Sequence, residues 1–93
     1  MDFKVILKPT AEEELIDALK WYDFKKDNLG TELYLEISKT IETIKENPKA
    51  FQKQYKSFRI VFTKRFQFGI HYTIEKQTIF IHAILHTSQN LRK

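Results

Sequence analysis

The chain has 93 residues, 42% of them hydrophobic, 14% aromatic and 30% charged, with a formal charge of +4. That suits one domain, residues 1–93, with its own core, and the absence of Cys excludes a disulfide framework or a thiolate zinc site. The N-terminus MDFKVILKPT lacks an apolar signal region and no apolar run is long enough to span a bilayer, so a cytoplasmic protein with no membrane partner is expected.

Phe3 to Leu7 reads as a short strand that Pro9 ends. Thr10 stands where an N-cap belongs, with Glu13 three residues on to complete a capping box. Ala11, Leu15, Ala18, Leu19 and Tyr22 recur at helical spacing, which predicts a first helix to about Lys26. Asn28–Gly30 breaks it, with Gly30 expected to take a left-handed turn. Thr31 is then the expected cap of a second helix carrying Leu33, Tyr34, Ile37, Ile41 and Ile44 on its apolar stripe, closed by Asn47–Pro48.

The period then changes from helical to alternating. Phe58, Ile60 and Phe62 alternate with Arg59, Val61 and Thr63, and Phe66, Phe68, Ile70, Tyr72 and Ile74 with Gln67, Gly69, His71 and Thr73. After a turn near Glu75–Gln77, Ile79, Ile81, Ala83 and Leu85 alternate with Phe80, His82, Ile84 and His86. This predicts a three-stranded antiparallel meander. Its last strand is apolar on both faces and belongs inside the sheet, with Phe3–Leu7 as its other neighbour. The expected fold is an α+β two-layer domain of order β-α-α-β-β-β, a four-stranded sheet with the helices on one face.

Charge divides along the same line. The first 48 residues hold seven Lys against eleven Asp/Glu, whereas Lys49 onward holds nine Lys/Arg against the single acid Glu75. A basic sheet half implies a polyanion or an acidic protein segment as partner. With Phe58, Ile60 and Phe62 turned to the helices, Arg59, Thr63, Gln67, His71 and Thr73 are expected on the open face, where guanidinium could hold phosphate. His71, Tyr72 and His86 beside an Arg could serve as acid or base in RNA cleavage, and as solvated strand residues otherwise. His82 and His86 lie about 13 Å apart at strand rise, which disfavours a metal site. Trp21 and Tyr22 suit core or interface packing better than base stacking. No phosphate-binding Gly loop, G-x-S-x-G elbow or Cys nucleophile is present.

Several stretches, taken in order, resemble the RelE/ParE superfamily of toxins from type II toxin–antitoxin modules. They are Trp21–Tyr22, Leu29–Gly30, Asn47–Pro48, Arg59, the run Phe66-Gln67-Phe68-Gly69-Ile70-His71-Tyr72, and Ile84-Leu85-His86. The resemblance covers essentially the whole chain and is closest to the ParE, plasmid-stabilisation branch. Gln67–Phe68 replaces the usual Pro-Tyr, and Ser88, Gln89 and Leu91 stand where the family often has an Arg pair and a Pro.

The resemblance implies a bacterial toxin that restrains growth, with no cofactor. Its implied partners are a cognate antitoxin, bound through Trp21 and Tyr22 on the helical hairpin, and DNA gyrase. Arg59, Lys64, Arg65, His86, Ser88 and Arg92 are the implied target contacts. The RelE-like alternative is an endonuclease that cuts mRNA in the ribosome, with Arg59, Arg65, His71, Tyr72 and His86 as its catalytic candidates. A third alternative is an antitoxin-binding remnant without toxicity, because the tail is less basic than the family pattern.

Overall fold

The computed structural model describes residues 2–88. In chain order they form β1 (Lys4–Leu7), α1 (Pro9–Lys25), α2 (Leu29–Glu46), a 3₁₀ turn at Pro48–Ala50, β2 (Lys53–Tyr55), β3 (Phe58–Phe62), β4 (Phe68–Glu75) and β5 (Thr78–His86). The two-layer α+β architecture is the expected one, with a five-stranded sheet in the order β1-β5-β4-β3-β2. β5 lies inside the sheet as its two apolar faces required, and β1 runs parallel to it. The added strand, β2, is three residues long and offers too little sequence for a period to show. Among the described residues no helix is long and apolar enough to cross a membrane.

The helix starts differ from expectation. α1 begins at Pro9, with Lys8 as an N-cap that makes no side-chain capping bond, so Thr10 lies inside the helix and no capping box forms. Proline has its φ preset for the first helical position, and the Lys8 N–H is still committed to the sheet through the Ile81 carbonyl (2.9 Å). Between the helices Asn28, not Gly30, takes the left-handed conformation (φ 70°) and precedes α2. Thr31 is therefore a helical residue rather than a cap. Gly30 serves helix contact instead. A Cβ there would stand 2.6 Å from the Leu19 carbonyl oxygen, while its N–H donates to Asp23 Oδ1 at 2.7 Å.

The core lies between the helices and one sheet face. Leu33, Ile37 and Ile44 of α2 and Ala11 of α1 pack with Phe68, Ile70 and Tyr72 of β4 and Ile79, Ile81 and Ile84 of β5. Fully burying an aliphatic side chain of this size is worth about 1.5–3 kcal/mol.

Two strands present their faces differently from the simple alternation. In β3, Arg59 stands opposite Tyr72 and Val61 opposite Ile70, and residues directly opposite in an antiparallel pair share a face. Arg59 and Val61 therefore point to the helix side. Phe58, Ile60 and Phe62 take the open face, where a Cβ on Gly69 would touch Phe62 and Ile60 at 3.1 and 3.2 Å. In β5 the register slips by one residue, with His71 opposite Ala83 but Tyr72 opposite Ile81. The extra residue, His82, is a bulge that reverses the phase. Ile84 is thereby buried in the core, while Ala83 and Leu85 pair with His71 and Gly69 on the open face.

Candidate functional site

A cleft of ≈ 490 Å³ opens where α1 crosses the Phe68 end of the sheet. Successive turns of α1 supply Glu14, Asp17, Trp21 and Tyr22, since residues three and four apart share a helix face. The sheet supplies Phe68, Ile84 and His86, with Ser88 just beyond β5. His86 reaches this side only because the bulge at His82 brings it onto the face of Phe68, its cross-strand partner. The aromatic wall is built edge to face. Trp21 meets Tyr22 at 4.8 Å, Tyr22 meets Phe68 at 6.1 Å, and Phe68 meets His86 at 5.3 Å between ring centroids. Trp21 stays half exposed at the rim, with Lys25 Nζ 4.9 Å from its ring.

Polar groups fix the walls to one another. Glu14 Oε1 accepts the Ile84 N–H at 2.9 Å, tying α1 to β5 across seventy residues of sequence. Burial pushes the Glu14 carboxyl up, the Ile84 bond pulls it down, and the neighbouring Glu13 charge adds to the rise. The Ser88 N–H donates to His86 Nδ1 at 3.2 Å, and the Ser88 hydroxyl lies 3.0 Å from the same nitrogen. The cleft thus joins the expected antitoxin-binding pair, Trp21 and Tyr22, with two expected target-binding residues, His86 and Ser88.

The other expected site residues lie elsewhere. Arg59 does not reach the open face; its Nε donates to the Phe51 carbonyl at 2.6 Å. Beside it the buried Tyr72 hydroxyl donates to the Pro48 carbonyl at 2.6 Å, and burial holds its pKa up to about 12 against the Arg59 charge. Both side chains fasten the segment after α2 to the sheet. Tyr72 and the His86 register position are four residues apart along β4, about 13 Å.

His71 occupies the opposite face, buried, with no partner for Nε2 and its pKa lowered by burial. Arg65 is held against α2. Its guanidinium pairs with Glu32 at 2.6 Å and its backbone N–H donates to Glu36 Oε2 at 2.6 Å. Lys64 is exposed in the same β3–β4 connection. Arg92 lies outside the described residues. Arg59, Arg65, His71, Tyr72 and His86 therefore do not converge on any one point.

The open face also differs in character from the expected basic one. Thr63 is buried at the end of β3, where its Oγ1 accepts the Phe68 N–H at 2.8 Å, and Gln67 is a left-handed residue (φ 59°) in the connection. Of the five residues expected on that face, only His71 and Thr73 are there. Thr73 Oγ1 meets His82 Nε2 at 2.8 Å, and Phe58 packs on the His82 ring at 4.8 Å. Burial and then the Lys8 charge lower the His82 pKa, with Glu75 opposing.

Sequence reasoning missed Glu14, Asp17 and Phe68 as cleft residues. The helical spacing of Glu14, Asp17 and Trp21 on one edge of α1's stripe was the signal for the first two. Phe68, on the alternating apolar face of its strand, reads from the sequence as core alone.

Comparison with known proteins agrees with this architecture. The family model described as ParE toxin of type II toxin–antitoxin system, parDE, matches residues 5–91. No curated protein matches the sequence. Among solved structures, a chain of the chromosomal ParDE toxin–antitoxin system from P. aeruginosa superposes with a TM-score of 0.80 at 11% identity, covering 90% of this chain and 95% of that one. That likeness shows a shared fold, and the family match spans nearly the whole sequence. The chain belongs to the ParE toxin family of type II toxin–antitoxin systems.

Proposed function

We propose that this protein is a growth-inhibiting toxin that acts on DNA gyrase in the cytoplasm without cutting nucleic acid, and that a cognate antitoxin neutralises it. The observation that carries the non-hydrolytic reading is the dispersal of the five groups an RNA-cleaving site would need. General acid–base catalysis requires its groups within hydrogen-bond reach of one reacting centre. Arg59 and Tyr72 instead hold backbone carbonyls, Tyr72 is buried with a pKa of about 12, His71 faces the other way, and Arg65 is bound to α2.

Lys64, His86 and Ser88, at the cleft end of the sheet, are the proposed target contacts there. The antitoxin covers Trp21 and Tyr22 in the adjoining cleft, so its binding occludes His86 and Ser88. Neutralisation then needs no change in the toxin's shape.

Purified protein incubated with translating ribosomes should leave mRNA intact, and expression should arrest growth until the antitoxin is co-expressed. Ribosome-dependent mRNA cleavage lost on replacing Arg59 or His86 would overturn the reading in favour of the nuclease. Absence of growth arrest would identify a non-toxic remnant.

A further inference from the structure

We propose a second binding site, a phosphate-gripping depression at the Glu75 end of the sheet through which the protein holds the backbone of duplex DNA. The depression, ≈ 300 Å³, is lined by Lys49, Lys53, Ser57, Arg59, Ile74 and Lys76. Four separate elements deliver the cations: the 3₁₀ turn, β2, β3 and the β4–β5 turn. No carboxylate is among the lining residues. Among the described residues the one Lys/Arg–carboxylate ion pair, Arg65–Glu32, lies in the other half of the molecule. Four like charges round one hollow repel one another, and a bound polyanion relieves that repulsion.

Arg59 is preorganised for this role. Its Nε is committed to the Phe51 carbonyl at 2.6 Å, which locks the guanidinium plane and leaves the terminal nitrogens for a phosphate. Lys49, Lys53 and Lys76 are exposed and can follow a backbone. The lining also indicates which nucleic acid it takes. Single strands are held by bases stacked on aromatic rings, and no ring lines this depression. The stacked pair Tyr55–Phe58 belongs to the opposite face of the sheet. Cations and a hydroxyl without rings suit the duplex backbone, gripped without sequence preference.

The inference rests on the gyrase reading for the source of the DNA, because gyrase is a target that itself holds duplex DNA. The binding measurement that tests it contains no gyrase, and a separate inhibition assay distinguishes the two readings. Fluorescence anisotropy of a labelled 20-base-pair duplex should be measured across a salt series for the wild type, Lys53→Gln/Lys76→Gln, and a charge-matched Lys20→Gln/Lys39→Gln control on the exposed helix surface. All four lysines are exposed, so neither variant is expected to lower the thermal midpoint.

Each phosphate contact contributes roughly 0.9 to the slope of log K against log salt. The depression variant should therefore lose about 1.8 of slope, while the control keeps the wild-type slope. Equal losses in the two variants would overturn the site, since the binding would then follow overall charge. Tighter, lysine-dependent binding of single-stranded RNA than of the duplex would overturn the DNA assignment. Gyrase inhibition by a wild-type protein that shows no depression-dependent DNA binding would strike this inference alone. Depression-dependent binding without any gyrase inhibition would strike the target assignment alone.

Discussion

The two ends of β4 are built from the same sheet and present opposite chemistry. At the Phe68 end α1 still lies on the sheet, and its carboxylates and aromatic rings enclose a cleft with His86. At the Glu75 end α2 has already stopped at Glu46, and lysines with Arg59 line a smaller hollow. The ends are about 23 Å apart at strand rise. The strand core between them, Ile70 and Tyr72, is fully buried and separates the two surfaces. Net charge alone suggested a single basic working face, whereas the fold gives an acid–aromatic end and a basic end.

The largest expected effect comes from removing the cleft's floor. Phe68 is 4% exposed and touches Tyr22 and His86, so Phe68→Ala should cost about 3–5 kcal/mol in chemical denaturation. It should abolish antitoxin binding at temperatures where the fold survives. Retained antitoxin affinity in the folded variant would show that the cleft is not the docking surface.

Tyr72→Phe acts at the other end. It deletes the bond to Pro48 and leaves a buried carbonyl unpaired, a loss of about 1–3 kcal/mol. The 3₁₀ turn carrying Lys49 should loosen, weakening duplex binding while antitoxin affinity stays at the wild-type value. Equal losses at both ends would mean that the ends are not independent.

Protonation separates the two sheet faces by sign. The Glu14 carboxyl is raised in the folded state, so the stability it contributes is full below its ordinary value of 4.5 and is lost as pH rises through the raised value. Glu14→Gln keeps an acceptor for the Ile84 N–H, and its thermal midpoint should gain on the wild type as pH rises above that range. His71 is lowered, so its contribution is full above 6.5 and is lost as pH falls through the lower folded value. His71→Leu should accordingly hold its midpoint better than the wild type on acidification. A wild-type-like profile in either variant would remove that group from the account.

The smallest effect is expected at the Arg65–Glu32 pair, whose side chains are 63% and 45% exposed. Arg65→Gln should change stability by no more than about 1 kcal/mol and leave both ends functional.

Much of the fold was legible because its signals are local. Helical spacing in Leu33, Ile37 and Ile44, the Asn47–Pro48 stop and the doubly apolar last strand each state their own structure. Two features resisted because they are relations between strands. Phe58, Ile60 and Phe62 look like the buried face of β3, yet the pairing of Arg59 with Tyr72 turns them outward. The single extra residue at His82 reverses β5, which no alternation pattern can reveal. The cleft depended on that reversal and on the Glu14–Ile84 bond, whose partners are seventy positions apart. The basic depression showed in the sequence only as an excess of charge. Its convergence came from β2, a strand too short to be read.

The most direct test is plasmid supercoiling by purified gyrase, titrated first with this protein and then with its antitoxin. Supercoiling should fall as the protein is added and recover at an equimolar amount of antitoxin. With Trp21→Ala, recovery should require excess antitoxin, because the rim of the cleft has lost its exposed ring. Supercoiling that stays unchanged at every ratio of wild-type protein to gyrase would contradict the account.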